Sequence, residues 1–209
     1  ACSGPSAQPV SASADNTLSG VSSAPEHALP RSLNDRLDMW LRLVGPAHGS
    51  AQEYADFLQA GGVWPRWSLL GLRMQQALAN ETDTQVLARL CRTQKLTYAP
   101  ALVQCATQLG SDSSLQPQLA AQAVTAWTDG NDTPAAASAL AGTFGPALTP
   151  RSSWLRFDRE ERTGLLNAAQ QTLPYLSGSQ LALAQARLAL RNNDASAQSL
   201  LDDLSSTAR

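Results

Sequence analysis

The sequence predicts an all-α chain, an irregular αα-hairpin solenoid or superhelix of about eleven short helices, and three observations predict it. The composition is rich in Ala, Leu, Gln and Arg and contains no Ile at all, and such side chains lose little rotamer freedom in a helix. Apolar residues recur at helical spacing in one segment after another, and no segment alternates as a strand would. The segments are also punctuated, with a capping residue or proline at the start and Gly, Asn or Asp at the end. Short helices that bury one or two stripes stack as αα-hairpins. There is no fixed period of roughly 34 residues and no repeated signature, so the solenoid is irregular, with a globular bundle as the alternative.

Residues 1–31 are mostly Ser, Ala, Pro, Gly and Gln, too few apolar groups to offset the entropy of ordering, and they read as a tether. The helical domain is expected over 32–209. Ser32-Leu-Asn-Asp35 and Ser50-Ala-Gln-Glu53 have the form of capping boxes. The first precedes Leu33, Leu37, Trp40, Leu41 and Val44; the second precedes Tyr54, Phe57 and Leu58. Val63-Trp64-Pro65-Arg66-Trp67 reads as the opening of a third helix with proline in its first turn, and Trp67, Leu70, Met74, Ala77 and Leu78 as its buried stripe. Asp83 caps a fourth helix (Val86, Leu87, Leu90, Cys91). A fifth runs on to Gly110, and a sixth from Pro117 to Thr128. Thr133-Pro134 and Thr149-Pro150 start two more. Gln180 to Asn192 is apolar on two sides, which places it between neighbours, and Asp194 caps a last helix through Leu204.

The charge is balanced at −2 with no basic block, which argues against nucleic-acid binding. No apolar run approaches the ~20 residues of a membrane span. The chain opens Ala1-Cys2-Ser3-Gly4. One reading is the end of a lipoprotein signal, with Cys2 carrying lipid and anchoring the chain at the outer membrane. The other is an ordinary export signal with Cys2 unmodified. Both imply a periplasmic protein, with membrane contact only if Cys2 is lipidated. In an oxidising compartment Cys91 and Cys105 are a candidate disulfide; two separately buried thiols are the alternative. His27 and His48 stand apart from any metal or triad pattern. No residue is assigned to a cofactor or a metal.

The densest run of helix punctuation lies between Phe144 and Arg191. Trp64-Pro-Arg-Trp-Ser-Leu-Leu70, Phe144-Gly-Pro-Ala-Leu-Thr-Pro150, Leu155-Arg-Phe-Asp158 and Ala184-Gln-Ala-Arg-Leu-Ala-Leu-Arg191 follow one another. In that order and spacing they resemble the N-terminal helical domain of soluble lytic murein transglycosylases of α-proteobacterial type. The similarity runs from about Ser50 to Leu204. It implies a superhelix against which a lysozyme-like catalytic domain docks. It also implies that the parent enzyme cleaves peptidoglycan glycan strands between N-acetylmuramic acid and N-acetylglucosamine, leaving a 1,6-anhydro product. This chain departs from the family in carrying Glu160-Glu161-Arg162 where members have bulky apolar residues, which suggests an exposed helix end.

The family's acid is a Glu followed by Ser. None of the five glutamates here, 26, 53, 81, 160 and 161, is followed by Ser. Adjacent helical residues point about 100° apart, so Glu160 and Glu161 do not form a carboxylate pair across one bond. Arg156 with Glu160 and Asp158 with Arg162 are i,i+4 ion pairs, read as a solvated face. Trp64 and Trp67 are read as packing anchors, with sugar stacking as the alternative. No catalytic residue is assigned to the chain. The expected function is the non-catalytic scaffold of a lytic transglycosylase, its partners being the catalytic domain of the same polypeptide and, through it, glycan strands. A stand-alone exported scaffold or lipoprotein making protein contacts at the envelope is the alternative.

Overall fold

A computed structural model describes residues 32–46, 48–130 and 132–207. Cys2, His27 and the rest of 1–31 lie outside the described residues. Eleven α-helices occur among those described: α1 (Leu33–Val44), α2 (Ala51–Gln59), α3 (Trp67–Leu78), α4 (Thr84–Thr93), α5 (Ala99–Gln108), α6 (Gln116–Asp129), α7 (Pro134–Phe144), α8 (Pro150–Arg162), α9 (Leu166–Thr172), α10 (Gly178–Arg191) and α11 (Ala197–Thr207). Single 3₁₀ turns follow α7 and α9. The described chain is all-α.

The packing is nearly one-dimensional. The substantial contacts join each helix to its immediate neighbour or to the helix two places along, as α2 meets α3 and α4, α5 meets α6 and α7, and α6 meets α7 and α8. That is the contact order of stacked αα-hairpins, in which each unit buries its apolar face only against adjacent units. It is compatible with a superhelix.

Local chemistry sets the helix starts. Ser32 and Ser50 each accept from the backbone N–H three residues on, while Asp35 and Glu53 reach back to the cap N–H, closing two capping boxes. Asp83, Thr133 and Thr149 cap α4, α7 and α8 in the same way. Each such cap contributes about 1 kcal/mol by satisfying an otherwise orphaned donor. The third start differs from expectation. Helix α3 begins at Trp67, and Pro65 lies before it, because Arg66 takes a left-handed conformation (φ 59°) that turns the chain.

The ends of the helices are tied from a distance. Arg73 of α3 donates to the carbonyls of Leu43 and Gly45 at the end of α1 (2.5 and 2.7 Å). Gln118 of α6 reaches Arg92 at the end of α4 (3.2 Å), Arg156 of α8 reaches Trp127 of α6 (3.1 Å), and Arg191 of α10 reaches the Glu161 carbonyl of α8 (3.5 Å). A cation or amide at a helix C-terminus satisfies free carbonyls and opposes the negative end of the helix dipole. Here the same device registers one hairpin on the next. Gln75 works in the other direction, its Oε1 accepting from the N–H groups of Thr97 and Tyr98 before α5 (2.7 and 2.9 Å).

The apolar residues form two clusters. The larger runs from Leu43 to Phe144 through Tyr54, Leu70, Leu87, Leu102 and Trp127. The smaller contains Phe157, Ala169, Leu176, Ala184 and Leu188. Within the larger, Cys91 of α4 and Cys105 of α5 are joined by a disulfide, their Cα atoms 5.9 Å apart; the separate-thiol alternative does not describe this structure.

Three stripes differ from the sequence reading. On α1 the buried residue is Leu43, while Leu33 (73% exposed), Leu37 and Leu41 line the open side. At the start of α3, Trp67 is 38% exposed while Leu70, Met74 and Leu78 are buried. On α10 Ala184, Ala186 and Leu188 are buried, but Leu183 and Leu190 are exposed, so the second apolar stripe is covered at Ala186 and open at its two leucines. Periodicity marks an apolar face, but which apolar faces are covered depends on the tertiary neighbours.

Candidate functional site

The polar chemistry of the fold converges on α8. Thr149 caps the helix and Pro150 occupies its first position, where a missing N–H costs nothing. Its buried residues are Ser152, Arg156 and Glu160 on one stripe and Ser153, Phe157 and Glu161 on the next. Each stripe repeats every four residues, so each shares one side of the helix. Of the longer side chains, Arg156, Glu160 and Glu161 end in charge and Phe157 alone is apolar.

This overturns the expected solvated face and exposed helix end. Glu160 is 2% exposed, Glu161 4% and Arg156 4%. The i,i+4 pairs form as their spacing says, with Arg156 Nε 2.9 Å from Glu160 and Arg162 Nη2 2.5 Å from Asp158. Only the second has a well-exposed partner, Arg162.

On the first stripe, Glu160 accepts from Arg156 and from the Thr172 hydroxyl of α9 (2.7 Å), and Arg159 stands 3.6 Å away. The Arg156 guanidinium lies 4.4 Å from the Trp127 ring centroid, a cation–π contact across the boundary between the two apolar clusters. Asp132, in the α6–α7 connection, faces Arg156 at 3.9 Å and accepts from the Ala99 N–H at the start of α5. Burial is the largest influence on both. It raises the Asp132 carboxyl above the ordinary range despite Arg156, and it lowers the Arg156 guanidinium despite Glu160 and Asp132.

On the second stripe, Glu161 accepts from Arg187 and from Arg191 Nε (2.5 Å) of α10, and Asp158 accepts from Arg187 Nη1 (2.9 Å). Burial pushes the Glu161 and Asp158 carboxyls up, but the arginine hydrogen bonds outweigh it and hold both below the usual range. Arg187 also lies 5.6 Å from the centroids of Trp154 and Phe157. Beside Trp154, an apolar groove of about 760 Å³ opens between α8, α10 and α11, with Leu183 and Leu204 on its walls.

The chemical meaning of the glutamates follows from these partners. Glu160 and Glu161 lie on different stripes of α8, about 100° apart, and each is engaged by more than one donor, so neither stands as a general acid against a substrate oxygen, which needs a proton and an approach path. Glu53 closes a capping box and pairs with Arg42 (2.7 Å), and Glu81 accepts from the N–H groups of Thr82 and Asp83. Glu26 lies outside the described residues. His48 is exposed. Among the described residues no group of three or more His, Cys, Asp or Glu is placed to hold a metal ion.

The tryptophan pair is divided. Trp64 packs against Trp40 (6.1 Å between centroids) and Phe57 (5.5 Å) under the Arg36 guanidinium, whereas Trp67 faces outward. What the sequence reading missed is the burial of the Arg156–Glu160 pair and its further partners, Asp132 beside Arg156 and Thr172 on Glu160. Two other segments supply these partners, and no local pattern links those segments to α8. Comparison of the chain with known protein families, curated proteins and solved structures finds no match.

Proposed function

We propose that this chain is the non-catalytic helical scaffold of a peptidoglycan lytic transglycosylase, working in the periplasm, with the catalytic domain in a part of the polypeptide outside residues 1–209. The observation that carries the proposal is the run of four motifs from Trp64 to Arg191 in the order and spacing of that family. Two structural features support it. The described helices contact chiefly their neighbours along the chain, as stacked αα-hairpins do, and Glu161 of the most charged helix ties α8 to α10. The scaffold would position a lysozyme-like domain on glycan strands and would need no cofactor.

The reading frame beyond the codon for Arg209 tests this. Continuation into a domain with a Glu-Ser pair is the expected result, and a stop codon at that point overturns it. The second reading, an exported scaffold that binds another envelope protein, is favoured by the open leucines of α1 and of α10. Under that reading the frame ends there, and globomycin treatment tells whether Cys2 carries the anchor.

A further inference from the structure

The two apolar clusters belong to different blocks of helices, one in α1–α7 and one in α8–α10. The chain crosses between them at Thr149, directly after Leu148, which still packs on the larger cluster. The substantial helix contact that joins the blocks is that of α6 with α8, and charge carries much of it. Arg156 and Arg159 of α8 donate to carbonyls at the end of α6, those of Trp127 and Asp129 (both 3.1 Å). The Tyr175 ring meets Trp127 edge-on at 4.9 Å, and Asp132 faces Arg156 at 3.9 Å. A cavity of about 290 Å³ opens at the same junction, with Trp127, Arg156, Ala137 and Tyr175 among its walls. Polar contacts of this kind exchange for contacts with water when two surfaces part, whereas a packed apolar interface has no such substitute.

We propose that the α6–α8 joint is a pH-dependent hinge, on which the block beginning at α8 swings about residues 145–149, closed when Asp132 is protonated and loosened when it is ionised. Asp132 is the group that the closed joint serves worst. Its side chain is 4% exposed, its only printed cation is Arg156 beyond hydrogen-bond reach, and its Oδ2 has no hydrogen-bond partner among the described residues. The other charged or titratable groups around it are Arg156, Arg159 and Glu160 of α8, Tyr175 beside Arg156, and Lys95, Tyr98 and Asp129, which share with it the walls of a groove of about 590 Å³. Arg156 and Glu160 already satisfy each other at 2.9 Å, and Glu160 also holds Thr172 of α9. Protonating Asp132 therefore leaves the α8 network whole, whereas ionising it buries a carboxylate that no cation bonds. Opening moves that carboxylate into water while α8 keeps its own pair. The burial that raises the Asp132 pKa is relieved on opening, so the closed form binds the proton more tightly. Closure is thus favoured at acid pH and lost as pH rises through the closed-state value.

The test places spin labels on the full chain at Gln85→Cys of α4 and Asn167→Cys of α9, both exposed positions, one in each block. Cys2→Ser removes the remaining reactive thiol, since Cys91 and Cys105 are joined in their disulfide. Double electron–electron resonance then reads the distance between the blocks at pH 4 and pH 8, with melting temperatures showing that each variant is folded at both. The expected result is one narrow distance at pH 4 and a second, altered distance whose population grows several-fold by pH 8. Asp132→Asn should keep the narrow distribution at both pH values, and Asp129→Asn, at an exposed neighbour, should leave the response intact. A distribution that does not change with pH, a population that moves in the opposite sense, or a response that survives Asp132→Asn or disappears in Asp129→Asn overturns the proposal.

Discussion

Arg156 and Glu160 stand four residues apart on α8 and form an ion pair 2.9 Å long with both side chains at least nine-tenths buried. The attraction between two buried charges about balances the cost of taking them out of water, so the pair is worth little against an apolar replacement but is costly to break. Arg156→Leu or Glu160→Leu alone should destabilise the chain by about 3–5 kcal/mol. The double variant should recover much of that loss. Urea unfolding of the four members of the cycle measures the coupling, and additive losses would show that the pair does not act as a unit.

Asp132 behaves oppositely to a stabilising carboxylate. Its folded-state pKa is raised, chiefly by burial, so its contribution to stability is present at low pH and lost as pH rises through that value. Asp132→Asn mimics the neutral form and retains an acceptor for the Ala99 N–H. It should therefore raise the unfolding midpoint at pH 7 and change it little near pH 3. Thermal melts at the two pH values check this.

The α10–α11 hairpin is fastened to α8 by Arg187 and Arg191. Both Asp158 and Glu161 are held below the ordinary carboxylate range after burial is outweighed by their arginine partners. Groups with depressed pKa values stabilise above the unfolded value of about 4 and lose that contribution as pH falls through the folded one. Amide exchange along α10 should accelerate selectively on acidification below that point. Arg187→Ala should lower its local opening free energy at pH 7 by about 1.5–3 kcal/mol, the range for hydrogen bonds to charged groups. Exchange that remains as slow as in α5 would show that the apolar contacts of Phe157 suffice.

The Cys91–Cys105 bridge closes a loop with a sequence separation of 14. A chain-entropy argument gives about 3 kcal/mol for such a loop. Replacing both cysteines with serine should cost about that much, and thiol reductant should lower the melting temperature of the parent chain but not of the variant.

Helix positions were legible because their starts are chemically local: Ser32, Ser50, Asp83, Thr133 and Thr149 act on N–H groups two or three residues away. The start of α3 was misread because Arg66 adopts a left-handed conformation that no residue type there announces. Helix α8 was misread more deeply. Its buried stripes are filled by Ser, Arg and Glu, so hydropathy labels them solvent-facing. Only the approach of Trp127, Thr172 and Arg187 from other segments reverses that label. Leu183 and Leu190 show the converse, exposed leucines on an apolar stripe that is covered only at Ala186.

The central proposal is that the chain is a scaffold in which Glu160 bonds α8 to α9 and Glu161 bonds α8 to α10, and neither performs cleavage. Incubating the purified chain with isolated peptidoglycan sacculi, and resolving the soluble products by mass spectrometry, tests it most directly. A scaffold releases no 1,6-anhydro muropeptides unaided, and Glu160→Gln and Glu161→Gln change its stability alone. Release of such products by the chain alone, abolished by either substitution in a folded variant, would contradict the claim.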